Sequence, residues 1–196
     1  VLQELYNKKL IYKGHYEACY CVGCEQYLSK SDLVDGKCPL HKREVETRKE
    51  EAYLFKLSAF QNKILKLIQS GNYCILPERK RAEIISFIKT GLQDISISRN
   101  KKEVYWGIEL PFDKEHTCYV WVDAFWNYLT GLQIKKKFKE FWPPDIQLMA
   151  NDIFRVHATI WPALLIALDY KLPKALFIHG YFTIGGQKMS KSLGNA

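Results

Sequence analysis

Three short apolar runs in the second half of the chain constrain its fold more than any other feature. They are Cys118 to Val122, Ile146 to Ala150 and Ala175 to Ile178, with helical stretches between them around 125–140 and 152–170. Runs of this length, bounded by polar segments, read as buried strands. Strand, helix, strand, helix, strand is the grammar of a parallel sheet, because each parallel return needs a crossover. Residues 105–120, beginning Tyr105-Trp106-Gly107-Ile108-Glu109-Leu110, add an extra strand or a loop over that sheet.

The first half has a different pattern. Leu2, Leu5, Tyr6 and Leu10 suit the end of a helix within residues 1–13, and 14–45 is rich in Gly and turn residues. Ser58 and Gln61 predict a capping box for a helix with Phe60, Ile64, Leu67 and Ile68 on one face, stopped by Gly71. A second helix is expected from Pro77 to Gly91, burying Ile84, Ile85, Phe87 and Ile88. The reading divides the chain into 1–95 and 96–196. At 196 residues and 47% hydrophobic, it is long enough and apolar enough to bury a core. The longest apolar runs, such as Ala163 to Leu168, fall far short of a membrane span, so no membrane partner is expected. The opening residues are no secretory signal, and the absence of an initial Met points to a piece of something longer.

Cys21, Cys24, Cys38 and His41 form C-x2-C, thirteen residues, then C-x2-H. Three soft sulfurs and one nitrogen suit Zn2+, and four protein ligands close the tetrahedron, which makes such a site structural. A redox pair Cys21–Cys24 is the alternative. Cys19, Cys74 and Cys118 lie outside the pattern and read as ordinary thiols. Lys and Arg exceed Asp and Glu by 29 to 21, a net charge of +8. That balance favours a polyanion such as RNA, or is a solvated Lys-rich face.

Residues 188–192 read Lys-Met-Ser-Lys-Ser, just after the Gly185-Gly186 turn. Two ammonium groups on a glycine-flanked loop can follow phosphate charge as it develops. This pentamer resembles the ATP-binding loop of class I aminoacyl-tRNA synthetases, and Phe177-Ile178-His179-Gly180-Tyr181 resembles the strand leading into it. Within that class the chain resembles methionyl-tRNA synthetases. The resemblance rests on Tyr119 to Ala124 with Asn127-Tyr128, on Asp152-Ile153 with His157 and Trp161-Pro162-Ala163, and on Leu92-Gln93-Asp94 with Ile97-Ser98-Arg99. The zinc spacing is similar to the single-knuckle connective peptide of bacterial members. Where the family usually shows Gly-Lys, this chain has Ala150-Asn151, and no His-Ile-Gly-His type motif occurs in it.

The resemblance implies a fold and a chemistry. The fold is the second half of a Rossmann-like parallel sheet (96–196), with an inserted connective-peptide domain (1–95) whose zinc knuckle lies in 14–45. The activity is formation of methionyl adenylate from methionine and ATP with Mg2+, then transfer to the acceptor end of tRNA(Met), in the cytoplasm. By resemblance Lys188 and Lys191 serve the triphosphate, and Asp152 and Glu109 meet the ribose. Trp121, Tyr128, His157, Trp161 and Arg99 lie around the methionine. Taken from the residues alone, Asp152 is equally an N-cap, the aromatics are core packing, and Arg99 is a surface ion pair. A synthetase for isoleucine, leucine or valine fits less well, because those pockets avoid aromatic bulk. A non-catalytic zinc-knuckle RNA-binding module fits the charge alone.

Overall fold

The computed structural model describes residues 1–22, 26–28, 33–39, 42–189 and 194–195. The first elements are α1 (Leu2–Asn7), β1 (Ile11–Cys21), β2 (Gln26–Leu28) and β3 (Glu46–Phe55). A 3-10 turn (Leu57–Phe60) then leads into α2 (Gln61–Gln69), followed by β4 (Cys74–Leu76) and α3 (Glu78–Lys89). Next come β5 (Ile95–Ser96), β6 (Ser98–Asn100), β7 (Glu109–Leu110) and β8 (Asp113–Cys118). Three helices follow: α4 (Val120–Phe125), α5 (Asn127–Ile134) and α6 (Phe138–Phe141). The chain closes with β9 (Ile146–Ala150), α7 (Phe154–Ala167), β10 (Ala175–His179), β11 (Thr183–Ile184) and β12 (Gln187–Lys188).

The chain forms two compact units and crosses between them three times. One unit is Val1–Phe55 with Ile95–Asp123, and the other is Lys56–Asp94 with Ala124–Ala196. The first is antiparallel. β1 and β3 pair from Ile11 opposite Phe55 to Tyr20 opposite Glu46, in a sheet of order β2-β1-β3-β5. Leu5, Ile11, Phe55, Ile97 and Leu110 are all buried there, and each such side chain contributes roughly 2 kcal/mol in area removed from water. The sequence reading placed turns through 14–45, whereas β1 runs unbroken to Cys21.

The second unit contains the parallel sheet, of order β4-β10-β9. Two of its strands are the expected 146–150 and 175–178 runs. The third is not. Cys118 ends the antiparallel β8, and Val120 to Val122, expected to finish that strand, begin α4 (Val120–Phe125). Val122, Phe125 and Leu129 are buried while Val120 is exposed, which is the three-and-four spacing of a helix. That periodicity overrides the β-branched valines. The strand that takes the third place, Cys74–Leu76, is three residues long and lies between Gly71 and Pro77, so no run announces it.

The expected capping box is also absent. Ser58 sits in the 3-10 turn, and its N–H and hydroxyl both donate to Asp94 Oδ1, at 3.1 and 2.6 Å. Gln61 accepts from the Leu92 N–H at 2.6 Å. Both side chains therefore tie the start of α2 to the segment after α3. As expected, Ile64, Ile68, Ile84 and Ile88 are buried, whereas Leu67, Ile85 and Phe87 are only half-buried, and Gly71 and Gly91 follow their helices at φ +78° and +104°. Pro162, inside α7, withholds a backbone donor. Nearby, the buried Tyr73 hydroxyl donates to the His157 carbonyl at 2.8 Å, and burial pushes that phenol's pKa well up.

Candidate active site

Two loops leave the carboxyl ends of neighbouring parallel strands in the second unit. One is the 3-10 turn Asn151–Ile153 between β9 and α7, and the other leads from β10 into the β11–β12 hairpin. In open α/β sheets this edge is where ligands bind. Gly185 and Gly186, at φ +58° and +81°, make the two-residue hairpin turn that pairs Thr183 with Lys188. Lys188 Nζ donates to Asp152 Oδ2 at 3.1 Å and lies 4.0 Å from the Tyr181 ring centroid. Both side chains are about half exposed, so the pair adds little stability and is easily exchanged for a ligand. No side-chain cap closes α7, so Asp152 serves Lys188 and not the helix N-terminus.

Within α7 the site becomes aromatic. His157 is 2% exposed and Trp161 fully buried, four residues apart on one face. The His157 Nδ1 lies 2.9 Å from the Ile153 carbonyl, and its Nε2 lies 3.1 Å from the Tyr128 hydroxyl. A carbonyl only accepts, so Nδ1 carries the proton. Burial lowers the imidazole pKa, so the ring is neutral and Nε2 accepts from the Tyr128 O–H. Burial likewise raises the Tyr128 pKa. Phe125 stacks on Trp161 at 5.2 Å and meets His157 edge-on at 5.1 Å, and Trp126 meets Trp161 at 5.4 Å. The sequence reading missed Phe125 and Trp126. The spacing of Phe125 to Tyr128, one helical step, was the signal for the former. A cavity of about 650 Å³ opens beside Tyr128, lined by Leu132, Trp142, Gln147 and Leu148. His157 and Trp161 do not line it; their rings pack against their neighbours.

The second unit thus brings together Tyr128, Asp152, His157, Trp161 and Lys188. Arg99, Glu109 and Trp121 belong to the first unit. Arg99 stacks 4.0 Å above the Tyr119 ring and donates to Ser96 Oγ and the Ser98 carbonyl at 3.0 and 2.7 Å. Glu109 pairs with Lys101, whose hydrogen bond holds the carboxyl below its ordinary pKa. Trp121 is half-buried in α4. Of the expected zinc ligands, Cys21 ends β1 and Cys38 begins a turn in which the Lys42 N–H donates to its carbonyl at 2.8 Å. Both thiols are 1% exposed. Cys24 and His41, like Lys191, lie outside the described residues. Among the described residues no three potential ligands cluster around a metal site.

Fold and candidate site define a class: an α/β protein whose candidate site stands at the carboxyl edge of a parallel sheet. The family model described as tRNA synthetases class I (M) matches residues 28–196, and the chain belongs to that family. It is 47% identical, over its whole length, to the methionine–tRNA ligase of Caldanaerobacter subterraneus subsp. tengcongensis, of which it covers 31%. It is 44% identical to that of Streptomyces coelicolor, with 97% of this chain and 37% of that protein covered. A solved Mycobacterium tuberculosis methionyl-tRNA synthetase in complex with methionyl-adenylate superposes with a TM-score of 0.84 at 38% identity, covering 99% of this chain and 39% of that one. The chain therefore spans about a third of the length of the relatives it matches.

Proposed function

We propose that this chain is the zinc-knuckle and second-half catalytic segment of a methionyl-tRNA synthetase. That enzyme activates methionine with ATP in the cytoplasm and transfers it to the acceptor end of tRNA(Met). The observation that carries the reading is one continuous piece of structure. The β9–α7 connection bears Asp152, paired with Lys188, and then His157 and Trp161 on the helix that follows.

In the activation step a carboxylate oxygen of methionine attacks the α-phosphorus of ATP. The new O–P bond forms as the bond to the bridging oxygen of pyrophosphate breaks, and that oxygen leaves with the electron pair. The substrate is itself the nucleophile, so the protein's work is positioning and charge neutralisation. Asp152 exchanges its Lys188 partner for ribose hydroxyls. Lys188 is then released toward the phosphates, where it joins Lys191 and the Mg2+ that accompanies ATP.

The side-chain pocket gains selectivity from self-cancelled polarity. The Tyr128 hydroxyl and both His157 nitrogens satisfy one another and the Ile153 carbonyl. Beside that pair, Phe125, Trp126 and Trp161 offer aromatic surface, where thioether–ring contacts add to burial, although the Trp126 and Trp161 indole N–H groups are left without a hydrogen-bond partner among the described residues. Each ring pair that methionine displaces costs about 0.5–1.5 kcal/mol, which burial of its side chain offsets.

Cys21, Cys24, Cys38 and His41 fit a structural Zn2+. The two described thiols are buried, Cys21 at the end of a strand, and the donor set is the soft one zinc prefers. The basic surface suits the tRNA. No helix among the described residues is long and apolar enough to cross a membrane. Amino-acid-dependent pyrophosphate exchange by the full-length protein tests the function. Methionine supports exchange, and isoleucine, leucine and valine do so at least 100-fold less well; equal exchange with leucine overturns the reading.

A further inference from the structure

Lys80 lies in the first turn of α3, and its side chain is only 15% exposed. Its ammonium donates to Glu83 Oε2 and to Asn151 Oδ1, each at 2.5 Å, and sits 5.8 Å from the Phe154 ring centroid. The Glu83 contact is an ordinary pair within one helix. The Asn151 contact reaches across 71 residues of sequence to the turn that carries Asp152. An ammonium has donors only, so the amide atom facing it is the oxygen. The orientation of the Asn151 side chain follows. Its carbonyl faces Lys80, which leaves the NH2 group of this exposed residue for another partner.

We propose that Asn151 is a further nucleotide contact, with Lys80 as its positioning residue. The proposal rests on the assignment above of the β9–α7 turn to the ATP side of the site. Asp152 offers acceptors, which suit ribose hydroxyls as donors. Asn151 offers the complementary group, an N–H donor for an oxygen of the same nucleotide. Left alone, an exposed asparagine amide flips and rotates freely. Lys80 removes the flip, because an NH2 group facing the ammonium sets donor against donor. The donor for the nucleotide is thus set by a residue of a different helix that need not touch the ligand.

The test uses the full-length synthetase and pyrophosphate exchange, reading KM for ATP and for methionine separately. Asn151→Ala raises the ATP KM about 3- to 10-fold, the value of one hydrogen bond, and leaves the methionine KM within twofold. Asn151→Asp keeps a partner for Lys80 but replaces the donor with an acceptor. It raises the ATP KM at least as much without lowering the melting midpoint. Lys80→Met gives a rise like that of Asn151→Ala, Lys80→Arg restores the ATP KM to within about twofold, and Lys80→Met adds nothing on top of Asn151→Ala. The proposal is overturned if Asn151→Ala and Asn151→Asp both leave the ATP KM within twofold, or if the Lys80 and Asn151 effects multiply. If Lys80→Met fails to fold, the two Asn151 variants decide alone. A parent enzyme without methionine-dependent exchange overturns the functional assignment itself, whereas unaffected variants of an active parent overturn only the role of Asn151.

Discussion

Tyr128→Phe removes one oxygen atom from the aromatic site and leaves every ring in place. The hydroxyl is the donor to His157 Nε2, at 3.1 Å. Rotating the imidazole proton cannot compensate, because Nδ1 must keep it for the Ile153 carbonyl at 2.9 Å. The substitution therefore strands an acceptor on a residue that is 2% exposed, at a cost of about 1–3 kcal/mol. Tyr128 is 37% exposed, so a water molecule taking the place of the hydroxyl brings the cost toward the lower end. For a protein of this size the loss lowers the melting midpoint by roughly 2–12 °C. The methionine KM rises with it, since the Tyr128 ring beside the cavity loses its anchor to His157. Linkage fixes the pH dependence. Burial lowers the folded-state pKa of His157, so the unfolded chain binds the extra proton first. His157 thus contributes its full stability above the unfolded pKa, about 6.5, and loses it as pH falls from there toward the folded value. Calorimetry of wild type, Tyr128→Phe and His157→Gln at pH 7.5 and 5.5 checks both effects. A Tyr128→Phe midpoint within 1 °C of wild type at pH 7.5, or a pH dependence that survives unchanged in His157→Gln, refutes the reasoning.

Three further outcomes follow. Metal analysis of reduced, purified protein gives one zinc per chain, and less than about half an equivalent contradicts the Cys21, Cys24, Cys38, His41 site. Asp152→Asn changes stability by less than about 1 kcal/mol, because its ion pair with Lys188 is half exposed, but raises the ATP KM; a large loss of melting midpoint with unchanged ATP kinetics contradicts its placement. The Cys118 thiol, pushed up to about 12 by burial, resists alkylation by iodoacetamide at pH 8 in the folded protein and reacts only after unfolding, which mass spectrometry reads directly.

The sequence exposed the parts of the fold whose periodicity is local. The buried faces of α2 and α3 and two parallel strands were visible as spacings of apolar residues. The third strand was not, because Cys74–Leu76 is too short for a pattern and gains its place only by pairing with β10. Val120 to Val122 misled in the opposite direction: β-branched residues that suit a strand were recruited to a helix by burial of Val122 and Phe125. Ser58 and Gln61 formed a plausible local cap, but longer-range partners, Asp94 and Leu92, claimed them. Motif and resemblance singled out Lys188, Asp152 and His157, and all three lie in the second unit. Neither source could give the tautomer of His157, the stacking of Phe125 or the reach of Lys80 to Asn151, because each depends on partners far apart in the chain.

As proposed above, this chain belongs to an enzyme that joins methionine to AMP, and Lys188 and Lys191 serve the phosphates. Rapid-quench detection of methionyl adenylate in the full-length enzyme tests it most directly, with saturating methionine and ATP, for wild type and Lys191→Ala. The wild type gives a burst of methionyl adenylate. The variant forms it at a rate about 10²–10³ lower, the loss of one preorganised donor to the transition state, with methionine affinity unchanged. Adenylate formation by Lys191→Ala within about threefold of wild type contradicts it.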